Sequence, residues 1–211
     1  MIEQRTPEWF KQRRGRFTAS EIHRLMGAKG LGKTGETYVM EKVCEELGAE
    51  MPQVSTYAMD RGTELEPYAK RHYCGAFMAN ITPCPFMIAP WCDDAGASPD
   101  GIVTGWETQD KIKLIEIKCP LNPVHHIQNF MIKSADDLRL LRPEYYYQVQ
   151  MQMAVFDFNA CDFVSYYPDI DADFRMIAVT IKANLKDIDM MKTRITEAVE
   201  MKREILKRIK L

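Results

Sequence analysis

The stretch LIEIKCP, residues 114–120, starts as an apolar β-strand and then places a carboxylate and an ammonium inside the apolar run. Side chains two positions apart on a strand project from the same face, so Glu116 and Lys118 lie on one face. Ile115 and Ile117 lie on the other face. A half-exposed strand with a solvated face gives the same alternation. The pattern therefore predicts a strand, and it leaves open whether the charged face is solvated or functional.

The remainder of the sequence places further strands and helices around this strand. Short apolar runs separated by Pro and Gly occupy residues 77–118, which is typical of strands joined by turns. Two more strands are predicted at residues 161–167 and 175–181. Amphipathic helices are predicted at residues 143–158 and from about Asn184 onward. This order predicts an α/β (α+β) fold, in which a central twisted mixed β-sheet is flanked by helices.

The first third of the chain is predicted to be helical. In the stretch TASEIHRLMG, Thr18 is the predicted N-cap, Glu21 completes a capping box, and Gly27 ends the helix. Two further helices are predicted at residues 36–48 and 57–75.

Composition bounds the class of protein. The chain has 211 residues, 46% of them hydrophobic, and we expect a single domain over residues 1–211. The 28 Lys and Arg residues nearly balance 30 Asp and Glu, which argues against a basic coat but allows a local basic groove for nucleic acid. The six cysteines form no CxxC pair, which favours free thiols over disulfides or a zinc site. No apolar run is long enough to span a membrane, and we expect a cytoplasmic protein.

Asp100 supplies a second carboxylate for the charged face of the strand. It lies in a Pro-Asp-Gly sequence 16 residues before Glu116, so two adjacent antiparallel strands could bring the two carboxylates together. Asp-Gly is also the usual pair of a hairpin turn, which is the simpler explanation. Two carboxylates with a neighbouring lysine are what a divalent-metal phosphodiester hydrolase requires. The carboxylates hold Mg²⁺, the metal activates water, and the lysine positions that water or offsets negative charge.

Four motifs along the chain extend this pattern. They read EWFKQRRGRFTASEIH, RGTELE, SPDG followed by EIKCP, and YYYQVQMQM, and they lie between Trp9 and Tyr167. In this order the motifs resemble the PD-(D/E)xK nuclease superfamily, and specifically the lambda exonuclease or YqaJ-type viral recombinase family. The resemblance implies a restriction-endonuclease-like PD-(D/E)xK core.

The resemblance also implies roles for individual residues. Lys118 corresponds to the catalytic lysine, and Gln148 corresponds to a glutamine that approaches the nucleophilic water. The implied cofactor is Mg²⁺, with Mn²⁺ as a substitute and two ions in the site. The implied metal ligands are Glu66, Asp100, Glu116 and the backbone carbonyl of Ile117.

Two of these assignments have rivals in the sequence. Glu64 competes with Glu66 as the helical metal ligand, and both could be exposed helix carboxylates. Gln148, together with Gln150 and Gln152, could instead form the polar stripe of an amphipathic helix.

Basic residues near the motifs are candidates for contacts with DNA. The resemblance implies that Arg13 and Ser20 contact the region of the scissile phosphate. It also implies a pocket for a 5′-phosphate, for which Lys29, Lys33 and Arg61 are candidates because they are basic residues close to the motifs. Ordinary solvated cations would explain these positions equally well.

The function implied by the resemblance is Mg²⁺-dependent 5′-to-3′ exonuclease activity on one strand of linear double-stranded DNA. The products would be 5′-phosphomononucleotides and a 3′ single-stranded overhang, which a single-strand annealing protein uses in phage-type recombination. Family members form toroidal homotrimers around DNA, so a homotrimer and phage or prophage origin are expected. Another PD-(D/E)xK nuclease, such as an endonuclease, and a non-catalytic DNA-binding module are the alternatives.

Overall fold

A five-stranded mixed sheet lies at the centre of the protein, and the strand that carries LIEIK is its middle strand. The structure is a computed structural model that describes residues 4–51, 57–108 and 110–209. The helices are α1 (Pro7–Arg13), α2 (Gly32–Glu46), α3 (Tyr57–Phe77), α4 (Pro123–Asn129), α5 (Ala135–Leu141), α6 (Pro143–Phe156) and α7 (Leu185–Ile209). The strands are β1 (Phe17–Thr18), β2 (Ala79–Thr82), β3 (Met87–Ala89), β4 (Cys92–Ala97), β5 (Gly101–Gly105), β6 (Lys111–Lys118), β7 (Ala160–Tyr166) and β8 (Met176–Lys182). Short 3₁₀ helices span Ala19–Leu25 and Ala172–Phe174.

The large sheet has the strand order β2-β5-β6-β7-β8. Strands β6 and β7 run parallel, and the other neighbouring pairs are antiparallel. A small sheet with the order β1-β4-β3 lies beside it in the fold. The predicted fold class, a mixed sheet flanked by helices, is confirmed. None of the helices in the described part of the chain is both long and apolar enough to cross a membrane.

Strand β6 is covered on both faces. Leu114 packs in the cluster that includes Val149 and Met153 of α6. Ile115 and Ile117 pack on the opposite face, in the cluster that includes residues of α3. Because helices cover both faces, the explanation of a solvated strand face is wrong, and Glu116 is only 3% exposed.

The first third of the chain differs from its sequence prediction at Thr18. The predicted α-helix is a 3₁₀ helix, Ala19–Leu25, and the Thr18 side chain makes no capping hydrogen bond. Thr18 instead belongs to strand β1, which pairs with β4 through Gly96. Its backbone N–H donates to the hydroxyl of Tyr38 at 3.1 Å, and its own hydroxyl lies 3.3 Å from that of Ser20. The predicted capping box is therefore wrong, because the Thr18 hydroxyl pairs with that of Ser20 and not with the backbone of the helix.

The remaining predicted helices are present. Helix α2 begins at Gly32, four residues before the predicted start, and α3 continues through Pro67 to Phe77. In α7, residues at helical spacing pack into the core that also contains the 3₁₀ helix Ala19–Leu25 and the small sheet. This second core fixes the small sheet, and the chain passes from that sheet directly into β5.

Helix α4 is fastened to β7 by a buried histidine. His126 is fully buried, its Nδ1 lies 2.9 Å from the hydroxyl of Ser165, and its Nε2 lies 2.8 Å from the carbonyl of Phe174. A carbonyl only accepts, so Nε2 carries the proton and Nδ1 accepts from Ser165. Asn129 donates to the same hydroxyl at 3.0 Å. Ser165 is the strand partner of Lys118, so this anchor lies next to the end of β6.

His126 should make the protein sensitive to mild acid. Burial lowers the pKa of His126, and its bond to the Phe174 carbonyl opposes this only in part. Below about pH 6.5 the unfolded chain therefore binds more protons than the folded chain, and stability falls as the pH decreases. We expect the free energy of unfolding, measured with urea, to fall from pH 7.5 to pH 5.5 by more in the wild type than in His126→Gln. His125→Gln, at the exposed neighbouring position, should keep the wild-type dependence. An unchanged pH dependence in His126→Gln would disprove this role.

Candidate active site

A cleft of about 620 Å³ opens at the end of β6. Its walls are residues 116–122, Arg5, Asp100, His125 and Tyr145, together with Ala58, Met59, Gly62, Thr63 and Glu66 of α3. The cleft lies where β5 begins, beside the crossing between the two sheets. It therefore collects side chains from elements that are far apart in the sequence.

Asp100 is placed by the register of β5 against β6. Gly101 pairs with Ile115, which puts Asp100 beside Glu116 as the antiparallel arrangement predicts. The Asp100 N–H donates to the carbonyl of Ile115 at 3.1 Å, and the Asp100 Oδ2 accepts from the N–H of Ile117 at 2.6 Å. The Asp-Gly pair thus starts a strand, and the explanation of a hairpin turn is wrong.

Glu116 is the centre of a buried hydrogen-bond network. Its Oε1 is 2.7 Å from the ammonium of Lys118 and 2.7 Å from the amide nitrogen of Gln148. Lys118 also donates to the amide oxygen of Gln148 at 3.0 Å, so these three side chains form a closed triangle. Gln152 donates to the other oxygen, Oε2, at 2.6 Å. Glu116 is therefore held by donors at both oxygens, which fixes its orientation.

The glutamines of α6 do not form an exposed stripe. Gln148, Gln150 and Gln152 are all buried. Gln148 and Gln152 are one helical turn apart and face β6, whereas Gln150 bonds to the carbonyl of Lys182 and the N–H of Asn184. The sequence assigned no function to Gln152. Its spacing of four residues from Gln148 was the available signal, because such residues share a helix face.

The carboxylates repel each other and the lysine compensates them. Burial raises the pKa of Asp100 well above its ordinary value, and the charges of Glu116 and Glu66 raise it further. Burial alone would lower the pKa of Lys118, but Glu116 and Asp100 outweigh it and raise this pKa. The ammonium also lies 4.6 Å from the ring centre of Tyr145. Lys118 is thus a permanent cation at neutral and alkaline pH, and it acts as a hydrogen-bond donor.

The oxygen donors beside Asp100 suit a hard cation such as Mg²⁺. The two carboxylates of Asp100 and Glu116 stand side by side, and their mutual repulsion is relieved by positive charge. The carbonyl of Ile117 points to the same strand edge as its N–H, which bonds Asp100. Mg²⁺ commonly uses one or two protein carboxylates together with waters and substrate phosphate. Within residues 4–51, 57–108 and 110–209, no three acidic, histidine or cysteine side chains are gathered around one metal position.

The cysteine in the cleft has a thiol that is harder to deprotonate than an exposed one. Burial, with the charges of Asp100 and Glu66, raises the pKa of Cys119 to about 12. All six cysteines are free, in agreement with the expectation of free thiols. The lining of the cleft therefore includes carboxylates, the protonated thiol of Cys119 and the imidazole of His125.

Helix α3 brings Glu66 to the cleft wall. Its Oε2 is 2.8 Å from the guanidinium of Arg5, and its Oε1 is 2.8 Å from the ammonium of Lys70. These cations outweigh the effect of burial and lower the pKa of Glu66. Glu64 is exposed and does not line the cleft. Geometry thus favours Glu66 of the two rivals, although both of its oxygens are paired with cations.

Arg13 and Ser20 are brought together with Ser98, which lies two residues before Asp100 in the chain. The Arg13 guanidinium donates to the hydroxyl of Ser20 at 3.1 Å and to that of Ser98 at 3.3 Å. It stacks over Trp9, with 4.1 Å between the guanidinium carbon and the ring centre. Burial lowers the pKa of Arg13, but an arginine remains charged. The sequence did not single out Ser98, which lies two residues before Asp100 and completes a group of one cation and two hydroxyls.

The other basic candidates lie apart from the cleft walls. Lys29 and Lys33 are exposed, beside and within the first turn of α2. Arg61 on α3 pairs with Asp169 at 2.8 Å and lies 5.4 Å from the ring centre of Tyr167. None of these three basic residues lines the cleft as the structure describes it.

The fold is shared with an alkaline exonuclease of known structure. Two structures of LHK-Exo, an alkaline exonuclease from Laribacter hongkongensis, one of them in complex with dAMP, have a TM-score of 0.83 and 31% sequence identity to this chain. The similarity covers 97% of this chain and 96% of that chain. The chain belongs to the family of the YqaJ-like viral recombinase domain, whose model matches residues 8–159. The family resemblance seen in the sequence is therefore confirmed.

A further structure shares the fold. A phage-related exonuclease from Haemophilus somnus has a TM-score of 0.74 at 15% identity, over 92% of this chain and 96% of that chain. No curated protein matches this chain.

Removing the charge of Asp100 should stabilise the folded protein. Its pKa is raised by burial and by Glu116, so this carboxyl makes the folded state less stable above the ordinary pKa of an aspartate. In Asp100→Asn the side-chain oxygen can still accept from Ile117. We expect the free energy of unfolding to rise by about 1–2 kcal/mol, measured with urea at pH 8 in the presence of EDTA. Asp93→Asn, at an exposed position of β4, should change it little. A loss of stability in Asp100→Asn would refute the repulsion.

Proposed function

We propose that this protein is a Mg²⁺-dependent 5′-to-3′ exonuclease that degrades one strand of linear double-stranded DNA. The observation that carries the proposal is the closed triangle of Glu116, Lys118 and Gln148 beside Asp100 in an open cleft. A merely structural ion pair does not need a second, repelling carboxylate next to it. The similarity to LHK-Exo over nearly the whole chain supports the same chemistry.

In this proposal Asp100, Glu116 and the carbonyl of Ile117 hold the cation, with Glu66 as a further ligand once it leaves its basic partners. When bound, a divalent cation there would polarise the scissile phosphate and lower the pKa of a bound water. The family implies two ions in the site, which would need all four ligands: Asp100, Glu116, the Ile117 carbonyl and Glu66. We include two ions in the proposal.

The other groups of the cleft orient the reaction. Lys118 and Gln148 are tied to Glu116, so both are presented at a fixed distance from the carboxylate oxygen. Lys118, with its raised pKa, offers a hydrogen bond and positive charge to the attacking water or to the phosphate oxygens. Gln152 keeps Glu116 in place from the other side. This division of roles requires no movement of β6 or α6 during the reaction.

Arg13, Ser20 and Ser98 form the proposed phosphate contact. A guanidinium with two hydroxyls provides the donors that a phosphate group accepts. Ser98 lies two residues before Asp100 in the connection that leads into β5, and we propose that a phosphate bound by this group lies near the reacting phosphodiester. The dAMP in one LHK-Exo structure is a deoxynucleoside monophosphate and supports mononucleotide products.

Further parts of the proposal follow from the family alone. These are 5′-phosphomononucleotide products, a 3′ overhang handed to a single-strand annealing protein, a toroidal homotrimer and action in the host cytoplasm. We also propose that residues 1–211 form one exonuclease domain. Lys29, Lys33 and Arg61 are proposed to contact the duplex outside the cleft.

Loss of the lysine should slow cleavage strongly. We expect Lys118→Ala to reduce kcat on 5′-phosphorylated linear duplex with Mg²⁺ by at least about 10²-fold, since it removes the charge that faces the reacting groups. Release of mononucleotides over time is the measurement. Lys111→Ala, at an exposed position of the same strand, is the matched control and should retain activity.

Four outcomes would contradict parts of the proposed function. Equal activity of Lys118→Ala and the wild type would sink the proposed mechanism, and activity that survives EDTA would remove the metal. Cleavage of closed circular DNA would favour an endonuclease, and binding without cleavage by the wild type would favour a DNA-binding module.

The phosphate contact makes a separate prediction. Arg13→Lys keeps the positive charge but loses the planar fork that reaches both hydroxyls and stacks on Trp9. We expect kcat/KM on 5′-phosphorylated duplex to fall by about 10-fold or more, while Arg14→Lys at the exposed neighbouring position leaves it unchanged. Equal values for both variants would exclude Arg13 from the phosphate contact.

A further inference from the structure

The segment before α1 is held on both sides of Arg5. The Gln4 amide donates to the carbonyls of Cys84 and Pro99 at 3.1 and 2.9 Å, and Pro99 directly precedes Asp100. The Thr6 hydroxyl accepts from the N–H of Trp9 at 3.3 Å and caps α1. Arg5, between these anchors, has a φ of 68°, a left-handed conformation that is unfavourable for an arginine. The anchors thus hold the backbone in a shape that directs this side chain into the cleft.

Arg5 makes an ion pair that is easily exchanged. Its guanidinium lies 2.8 Å from Glu66 Oε2, and 47% of the Arg5 side chain is exposed against 16% of the Glu66 side chain. Exposed ion pairs contribute little free energy because water and salt compete with them. The other oxygen of Glu66 is held by Lys70 from the same helix. Of the two cations, Arg5 is therefore the one that a DNA phosphate in the cleft can reach and withdraw.

We propose that Arg5 couples the binding of the divalent cation to the binding of DNA. Without DNA, Arg5 occupies the carboxylate oxygen that Glu66 would offer to a metal. When a phosphate enters the cleft, the guanidinium transfers to it, because its planar fork matches phosphate as well as carboxylate. The Oε2 of Glu66 is then free to bind the cation, while Lys70 keeps its bond to Oε1. By linkage, each ligand favours the other, so the metal site is completed when substrate is present.

This inference rests on the proposed function, since it takes DNA and a divalent cation as the ligands. It goes beyond that function because it gives Arg5 opposite effects on the binding of the cation and on the binding of DNA. Replacement of a residue that only supported the fold would weaken the binding of both ligands.

The test is equilibrium binding, without turnover. We expect Arg5→Asn to bind Mn²⁺ about two- to fivefold more tightly in the absence of DNA, measured by calorimetry. The same variant should bind a 5′-phosphorylated duplex about three- to tenfold more weakly in EDTA. The slope of log affinity against log salt should fall by about 0.9, which corresponds to one lost phosphate contact. Asn tolerates the left-handed backbone at this position, and Arg5→Gly serves as a second variant should Arg5→Asn fail to fold.

Two controls isolate the pair. Arg71→Asn removes an exposed arginine of α3 that does not line the cleft, and it should leave both affinities unchanged. In a Glu66→Gln background, Arg5→Asn should no longer increase Mn²⁺ affinity, because the competition acts through Glu66.

The possible results distinguish a failure of the coupling from a failure of the proposed exonuclease function. Unchanged or weaker Mn²⁺ binding by Arg5→Asn would overturn the coupling. A gain in Mn²⁺ affinity that persists in the Glu66→Gln background would overturn it as well. In either case, a wild type that cleaves DNA would still support the proposed function. A wild type that binds neither Mn²⁺ nor duplex overturns both.

Discussion

The structure depends on keeping one carboxylate charged inside the protein. Glu116 is almost completely buried, and a buried charge is costly unless it is paired and hydrogen-bonded. Lys118 supplies the opposite charge from the same strand, and Gln148 and Gln152 supply amide donors from α6. This requirement accounts for the close approach of α6 to β6 and for three buried polar side chains where a strand and a helix would otherwise present apolar ones.

The position of Asp100 lowers the stability of the folded protein. The crossing from the small sheet into β5 puts this second carboxylate beside Glu116, and the neighbouring charge, together with burial, raises its pKa. The N–H of Ile117 fixes the carboxyl and partly compensates it. Destabilised groups of this kind are common at active sites, where the geometry needed for a ligand differs from the geometry that is most stable. Glu66 carries a similar charge at the cleft wall, but the cations of Arg5 and Lys70 neutralise it.

Local sequence patterns predicted most of the secondary structure. Strand β6, helix α6 and the long helix α7 have strong periodicity or composition and lie close to their predicted positions. The region around Thr18 is the clear failure, because a capping-box pattern is a local signal and the Thr18 hydroxyl pairs with Ser20 instead. The two-residue strand β1 has no pattern of its own, so it could be recognised only from its distant partner β4. Burial of both faces of β6 also could not be read from its alternation, which is equally typical of a half-exposed strand.

The sequence by itself determined the chemistry that is available at the site: Asp100, Glu116 and Lys118 at fixed spacing, and motifs that place the chain in its family. Only the tertiary structure decided which other groups reach these three. Gln152, Ser98 and Arg5 were not distinguished in the sequence because their partners are remote, such as Glu66, which lies 61 positions from Arg5. The physical reason is that strand period and helix period fix the direction of a side chain relative to its own element, whereas the group it meets depends on how separate elements pack.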